Sequence, residues 1–400
     1  MKFNYKHTMY ASFIGYVVQA IINNFVPLLF LTFQSTYNIP ISKITFLITF
    51  NFAIQLLIDL LSAGFIDKIG YKASVVIAHI TSAGGLILLT LLPEFFSDPF
   101  IGLLIAVMIY AIGGGLLEVL ISPIVEACPT DNKETAMSLL HSFYCWGHVG
   151  VVLISTIFFT IFGISNWKWL AIFWAIVPIS NALFFMKVPI SHLIKDGESG
   201  LKIKEIISNK VFWIMVVLMI CAGASEQSVS QWASTFAEKG LGVNKTIGDL
   251  SGPMFFAIMM GISRVIYGKF GGKINLEKSM IYSGVLCILS YLIISMSPWP
   301  VFSLIGSGIC GFSVGLLWPG TFSMASSKIK GGGTMMFAFL ALAGDIGCSI
   351  GPTVVGTVSA MFNDNIKLGI MAAGIFPITL ILVIIINIFI RRSKVNKLIG

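Results

Sequence analysis

The chain has 400 residues, of which 56% are hydrophobic and 10% charged, and its mean hydropathy is +0.94. Soluble domains carry about 25% charged residues, so the composition excludes an ordinary soluble protein and indicates a protein that crosses the membrane many times. The net charge of +8 does not indicate a nucleic-acid partner, because the basic residues are scattered over short loops.

Apolar runs separated by short polar or Gly- and Pro-containing breaks predict twelve membrane-spanning helices. In chain order they cover 8–34, 43–66, 73–92, 100–127, 136–163, 167–187, 211–236, 247–270, 277–297, 301–327, 333–361 and 366–390. The break at 166–168 is the least obvious of the set. We therefore expect an all-α membrane protein with both termini on one side.

The distribution of Lys and Arg predicts which side is cytoplasmic. Nineteen of the 25 basic residues fall in the termini and the even-numbered connections, five fall in the odd-numbered connections, and Arg264 lies in or at the end of a span. Because positive loops are retained inside, both termini are expected to be cytoplasmic. The six cysteines show neither CxxC pairs nor metal-ligand spacing, so we expect neither a disulfide framework nor a metal site.

The longest polar interruption divides the chain into two halves of similar size. We predict a six-helix half over 1–188, a cytoplasmic linker over 189–210, and a second six-helix half over 211–400. Two short internal echoes, 67–72 against 268–273 and 147–150 against 344–347, keep the spacing expected of duplicated halves.

Three segments carry a resemblance to the major facilitator superfamily, and within it to the fucose/galactose/glucose:proton symporters. Residues 64–72 are similar to the superfamily signature between spans two and three, and 117–123 resembles the Leu-Glu-x-x-x-Asn-Pro segment of fucose permeases, with Ser122 in place of the asparagine. Asn23 and Asn24 resemble that family's paired asparagines, whereas Pro27 stands where the family has an aspartate. The resemblance implies alternating access around a site between the halves, with Glu118 in proton coupling.

Charged and titratable residues inside spans are costly, and they usually face a cavity or a partner. We predict that Glu118, His148 and Asp345 serve proton coupling. A carboxyl in a dry pocket or an imidazole can take up and release a proton near neutral pH. A structural hydrogen bond is the alternative for Glu118, and packing is the alternative for His148.

Polar side chains at helical spacing beside aromatic rings suit a sugar, whose hydroxyls need several donors and acceptors while its C–H face stacks on a ring. The predicted substrate-binding residues are Gln19, Asn23, Asn24, Asn51, Gln55, Trp146, Glu226, Gln227, Gln231, Trp232 and Trp318. Interhelical hydrogen bonding is the alternative for the amides, and an anchor at the membrane surface is the alternative for Trp232.

Five charged residues are candidates for gating, namely Asp59, Asp67, Lys68, Lys72 and Arg264. Arg264 and Asp345 form one possible ion pair that would hold a closed state, and titration is the alternative for Asp345.

The predicted function is secondary active transport of a small polar solute, a monosaccharide or polyol, across the cytoplasmic membrane by proton symport. Facilitative transport and proton-driven efflux of amphipathic compounds remain alternatives, as does a non-transporting nutrient receptor. An enzyme is not expected, because no nucleophile or metal motif is present, and no GxxxxGK[ST] loop indicates ATP use. We expect a monomer in the lipid bilayer, with no cofactor and no nucleic acid as partner. The solute, the direction of transport and the presence of proton coupling stay open.

Overall fold

The computed structural model describes residues 3–129, 133–190, 203–270, 275–329 and 333–399. Over these ranges the chain is helical and contains no strand, and twelve helices are long and apolar enough to cross a membrane. The all-α class and the predicted number of spans are therefore confirmed.

The spans are numbered here in chain order. Span 1 comprises Tyr5–Asn24 and Phe30–Tyr37, span 2 Ile41–Ile69, span 3 Tyr71–Phe95, span 4 Pro99–Ala127, span 5 Lys133–Phe162 and span 6 Trp167–Lys187. After a short helix, Ile203–Ser208, span 7 comprises Lys210–Ser230, span 8 Lys245–Asp249 and Phe255–Phe270, span 9 Leu276–Met296, span 10 Pro300–Val314 and Leu317–Lys328, span 11 Gly333–Met361, and span 12 Ile366–Ala373 and Ile375–Ile399.

The least obvious predicted break, between spans 5 and 6, is a sharp turn. Gly163 has φ 83°, a left-handed conformation that favours glycine, and one 3-10 turn, Ile164–Asn166, leads into span 6. The glycine ends the helix, so span 5 ends at Phe162, one residue before the predicted end, and span 6 begins at Trp167 as predicted.

Span 1 is interrupted, and span 7, six spans later, is followed directly by a break in the helix. In span 1 a 3-10 turn, Val26–Leu29, contains Pro27 in its first turn, where no backbone N–H is needed. Span 7 ends at Ser230, and irregular turns follow from Gln231. In transporters built from two repeats, interrupted helices at corresponding positions commonly form the solute site, because their free carbonyls can bind other groups.

The most extensive contacts between the first six and the last six spans are those of span 2 with span 11 and of span 5 with span 8. Span 1 also accepts hydrogen bonds from Gln231 and from Lys245 of span 8. A Cβ at Gly356 of span 11 would collide with the side chain of Thr45 in span 2, so the glycine permits close packing there. The predicted division at 189–210 stays a prediction, and 191–202 lie outside the described residues.

Candidate functional site

The polar residues of spans 1 and 2 form one hydrogen-bonded chain that ends at span 4. Gln55 Nε2 donates to Asn23 Oδ1 at 3.0 Å, and Gln19 Nε2 donates to Gln55 Oε1 at 3.1 Å. The same Gln19 nitrogen donates to Glu118 Oε2 at 3.3 Å. Because the three amides are buried, the polar stripe lies inside the protein and leads to Glu118.

Glu118 belongs to a group of three carboxyls, which we name the carboxyl cluster. One oxygen from each of Asp59, Glu118 and Asp345 lies within 4.8 Å of the other two. Asp59 comes from span 2, Glu118 from span 4 and Asp345 from span 11, and the packing of span 11 on span 2 brings them together. The cluster therefore joins a predicted gating residue to two residues predicted for proton coupling.

The ion pair considered between Arg264 and Asp345 is not formed. Arg264 Nη2 lies 3.1 Å from Glu226 Oε2, and both side chains are largely buried. Asp345 turns instead toward span 2, so Glu226 of span 7 is the acid within reach of the guanidinium. Arg264 Nε is buried and has no hydrogen-bond partner among the described residues.

Gln227 of span 7 and Gln231, directly after that span, extend the polar chain from Asn23 to Glu226. Gln231 Nε2 donates to the backbone oxygen of Asn23 at 3.0 Å and to Gln227 Oε1 at 3.0 Å. Gln227 Nε2 donates to Glu226 Oε1 at 3.4 Å. The Asn23 carbonyl is free to accept because span 1 is interrupted directly after it. One polar chain thus runs from the Glu226–Arg264 ion pair to the carboxyl cluster.

A small cleft lies at the point where spans 1, 2, 4 and 7 meet. Its lining comprises Ile22, Asn23, Val26, Pro27, Phe30, Leu47, Ile48, Asn51, Tyr110 and Gln231. Asn51 Oδ1 is buried and has no hydrogen-bond partner among the described residues. Three of the predicted binding residues, Asn23, Asn51 and Gln231, therefore line the cleft, and the side-chain oxygen of Asn51 is available to accept a hydrogen bond.

The three candidate tryptophans are in different surroundings. Trp232 is fully buried and its Nε1 donates to the backbone oxygen of Pro352 at 3.0 Å, so the alternative of a membrane-surface anchor is wrong. Trp146 of span 5 is 47% exposed. The Trp318 ring packs on Gly344, where a Cβ would collide with it. None of the three is among the residues that line the cleft.

Asn24 and His148 lie apart from the polar chain. Asn24 Nδ2 donates to the backbone oxygen of Ala20 at 2.9 Å and to the Tyr144 hydroxyl at 3.5 Å. His148 is buried in span 5, and no hydrogen bond within the described part of the chain joins it to the carboxyl cluster. Its part in proton coupling stays a prediction.

The predicted gating residues near the signature segment are partly described. Lys72 Nζ donates to the backbone oxygen of Val188 at 3.2 Å, which ties the start of span 3 to the end of span 6. The side chains of Asp67 and Lys68 lie outside the described residues.

Sequence reasoning missed a buried charge cluster at the start of span 8. Lys245 Nζ lies 3.0 Å from Asp249 Oδ2 and 3.1 Å from Glu238 Oε1, and it donates to the backbone oxygen of Leu28 at 2.8 Å. Burial raises the pKa of the Glu238 carboxyl, and the Lys245 ammonium opposes that rise. The i,i+4 spacing of Lys245 and Asp249 in the sequence would have indicated this ion pair.

Tyr110, which lines the cleft, was also missed. It lies in an apolar run, so the sequence gives no sign of a role in a site.

The family model of the Major Facilitator Superfamily matches residues 9–352. The chain belongs to the Major Facilitator Superfamily. This membership confirms the superfamily resemblance carried by 64–72, whereas the closer resemblance of 117–123 to the fucose permeases stays a prediction. In the second segment, the Ser122 hydroxyl that replaces the asparagine lies 2.8 Å from the Tyr16 hydroxyl of span 1.

Among curated proteins, this superfamily member is similar to the membrane protein MosC of Rhizobium meliloti, with 21% identity over 276 residues. The match covers 68% of the chain and 65% of MosC, so the chain spans just under two thirds of that relative's length.

Three solved transporter structures are similar to it over nearly their whole length. A variant of the E. coli fucose:proton symporter has a TM-score of 0.66 and 16% identity, covering 95% of this chain and 98% of that chain. A D-xylose-proton symporter has a TM-score of 0.76 and 13% identity, and a bacterial homologue of the human lysosomal transporter Spinster has 0.76 and 12%. Each of these two matches covers 95% of this chain and 96% of the other. At such identities the likeness shows the fold of the superfamily alone.

Proposed function

We propose that this protein is a secondary active transporter that moves a monosaccharide or similar polyol by alternating access, in symport with protons. The observation that carries the proposal is the continuous polar chain from the cleft to the carboxyl cluster. It passes from Asn23 through Gln55 and Gln19 to Glu118, with each hydrogen bond between 3.0 and 3.3 Å.

The groups that line the cleft suit a small hydroxylated solute, although the cleft itself encloses only about 10 Å³ and must widen to admit one. Asn23, Asn51 and Gln231 offer amide donors and acceptors, while Phe30 and Tyr110 offer ring faces. The fucose:proton and D-xylose-proton symporters among the similar structures support this solute class.

The carboxyl cluster suits the coupling ion. Ionised carboxylates this close repel one another, and the uptake of a positive ion relieves that repulsion. A solute that binds Asn23 competes for the hydrogen bond that Asn23 accepts from Gln55. Loss of that bond frees Gln55 to change its bond with Gln19, and this in turn changes the hydrogen bonding of Glu118. Solute and proton thereby act on one hydrogen-bonded unit.

The test uses purified protein in liposomes that contain a pH-sensitive dye, challenged with a panel of monosaccharides and polyols. Acidification of the interior on addition of one solute, absent from protein-free liposomes, is the expected result. If radiolabelled solute enters without acidification, transport is facilitative and the proton-coupled part of the proposal is wrong.

Proton-driven efflux of amphipathic compounds is the second candidate. Val26, Leu47 and Ile48 give the cleft an apolar side that would accept such compounds. Silence across the sugar panel, together with substrate-induced proton movement on addition of amphipathic cations, would favour this function.

The proposed setting is the cytoplasmic membrane, with both termini cytoplasmic and a single chain as the working unit. The excess of Lys and Arg on one side supports the orientation. Protease protection of C-terminally tagged protein in inside-out and right-side-out vesicles tests it.

A further inference from the structure

The geometry of the carboxyl cluster fits a metal ion as well as a proton. Oxygen atoms of Asp59, Glu118 and Asp345 lie within 4.8 Å of one another. Oxygen ligands lie about 2.3 to 2.6 Å from a bound cation such as Ca²⁺, so a single ion of that size placed between these oxygens can contact all three.

A fourth oxygen at this place has no protein partner. Gln19 is 5% exposed, its Nε2 donates to Glu118 Oε2 at 3.3 Å, and its Oε1 has no hydrogen-bond partner among the described residues. The unpartnered oxygen therefore belongs to an amide group that is already hydrogen-bonded to the Glu118 carboxylate. Asp59 Oδ1 is likewise buried and without a partner in the described part of the chain.

Within the described part of the chain, no positively charged side chain forms an ion pair with these oxygens. None of the ion pairs formed by described residues involves the three carboxyls, and Arg264 is paired with Glu226. The other titratable neighbours are Tyr16 of span 1 and Cys348 of span 11, which are neutral in their usual forms. The site is therefore rich in acceptors and poor in donors.

A metal cation satisfies such a site better than protons alone. Each proton supplies one donor to one acceptor, whereas one cation accepts several oxygen ligands at once. A set made only of carboxylate and amide oxygens selects hard cations over soft ones. A monovalent ion is favoured here, because exchanging one proton for one Na⁺ leaves the net charge of the buried cluster unchanged, and a change in buried charge without a partner is costly.

We propose that Asp59, Glu118, Asp345 and the Gln19 side-chain oxygen bind a monovalent metal cation, Na⁺, in competition with protons. The cation site itself does not depend on the proposed function; only a role of the bound ion in coupling rests on it. Asp59 and Glu118 belong to the first six spans and Asp345 to the last six, so a bound ion would hold the two sets of spans together at this point.

The first test measures the melting temperature of the purified full-length protein while NaCl replaces choline chloride at constant ionic strength. The expected result is a saturable rise in melting temperature with Na⁺. The Na⁺ concentration that gives half of this rise should fall by up to about tenfold per pH unit between pH 6 and pH 8, because Na⁺ displaces a proton.

K⁺, Mg²⁺ and Ca²⁺ are the comparison ions in the same measurement. Because the ionic strength is constant, an equal response to K⁺ and Na⁺ would show an effect that does not select Na⁺, and a response to divalent ions only would contradict the monovalent assignment. Either outcome overturns the proposal.

Matched variants locate the ion. Glu118→Gln and Asp345→Asn should abolish the Na⁺ response, whereas Glu94→Gln should retain it, since Glu94 is an exposed carboxyl paired with Lys168. A Na⁺ response that persists in both cluster variants overturns the assignment. If a variant does not fold, wild-type protein in liposomes decides, with Na⁺ movement followed by an entrapped Na⁺-sensitive dye when solute is added.

The same liposomes separate this inference from the proposed function. Solute-driven acidification with no effect of Na⁺ on melting or on transport overturns the cation site and leaves the proposed function standing. A Na⁺ response in melting without transport of any sugar supports the cation site and contradicts the sugar assignment.

Discussion

At the scale of single residues, Glu118 is the point where the polar chain from the cleft reaches the carboxyl cluster. Glu118→Gln keeps a side chain of similar shape but removes the exchangeable charge. We expect it to abolish uphill solute accumulation while solute exchange across the membrane continues, because the amide can still hydrogen-bond to Gln19. Counterflow and gradient-driven uptake in the same liposomes provide the measurement. Equal loss of both activities would reduce Glu118 to a structural or binding residue.

Asn51 offers a prediction about the cleft itself. Its Oδ1 has no protein partner among the described residues, so Asn51→Ala should cost little stability. A lost hydrogen bond to the solute is worth about 1 kcal/mol, which corresponds to roughly fivefold weaker binding. Solute affinity, measured by isothermal titration calorimetry, should fall by that factor while the melting temperature stays near the wild-type value.

Asn181→Ala is the matched control for Asn51→Ala. Asn181 Nδ2 donates to the backbone oxygen of Ala11 at 2.9 Å, away from the cleft lining. This control should lower the melting temperature and leave affinity unchanged. Unchanged affinity in Asn51→Ala would move the solute site away from span 2.

At the scale of elements, the interruption of span 1 exposes backbone oxygens that accept hydrogen bonds from the last six spans. Asn23 accepts from Gln231 of span 7, and Leu28 accepts from Lys245 of span 8. The hydropathy pattern predicted the number of spans, because apolar length alone determines whether a helix can cross a membrane. It did not predict these contacts, since they depend on which carbonyls an interruption leaves free. Pro27 was a visible signal for span 1, whereas Gln231 and Trp232 gave none for span 7.

Residue spacing alone predicted which amide side chains of spans 1 and 2 share a helix face. Gln19 and Asn23 lie one turn apart, as do Asn51 and Gln55, so each pair shares a helix face whatever the fold. The partners of Arg264 and Asp345 depend on packing between distant spans, which spacing within one helix does not contain. Trp232 shows the limit for aromatic residues, because its sequence context suited a binding surface while its indole is buried against Pro352.

Lys245 gives a prediction for span 8, on the predicted outer side. The double substitution Lys245→Met with Asp249→Leu removes the contact to Leu28 together with the fully buried Asp249 carboxylate, which would destabilise the fold if left unpaired. Glu238, the second partner of Lys245, has a side chain that is 21% exposed and keeps contact with water. We expect the protein to populate the outward-open state more often. The readout is faster labelling of Phe30→Cys, in the cleft, by a membrane-impermeant maleimide added from outside.

The control for that experiment is Lys239→Met with Asp364→Asn, which removes an ion pair of similar length within the last six spans. Its labelling rate should match that of the parent Phe30→Cys protein. If both double variants label at the parent rate, the Lys245 contact does not hold the outer side closed.

At the scale of the whole molecule, alternating access requires the first six and last six spans to separate where they now touch. The Thr160 and Thr246 hydroxyls of spans 5 and 8 lie 3.1 Å apart, and the Thr49 and Thr353 hydroxyls of spans 2 and 11 are also in hydrogen-bond contact. The two most extensive contacts between the sets therefore each offer a position for a removable cross-link.

Thr160→Cys with Thr246→Cys, and separately Thr49→Cys with Thr353→Cys, should form disulfides on mild oxidation, because side chains in contact bring the Cβ atoms near the separation that a disulfide needs. All six native cysteines are buried and unpaired, so they should not compete for the new thiols. Each cross-link should stop solute uptake, and reduction should restore it, while the four single-cysteine variants stay active under the same oxidation. A fully cross-linked protein that still transports would mean that the two sets of spans need not part at that contact. Because the two cross-links lie at different span pairs, loss of uptake in both would require a movement of one six-span set against the other, which a local rearrangement of either pair alone does not explain.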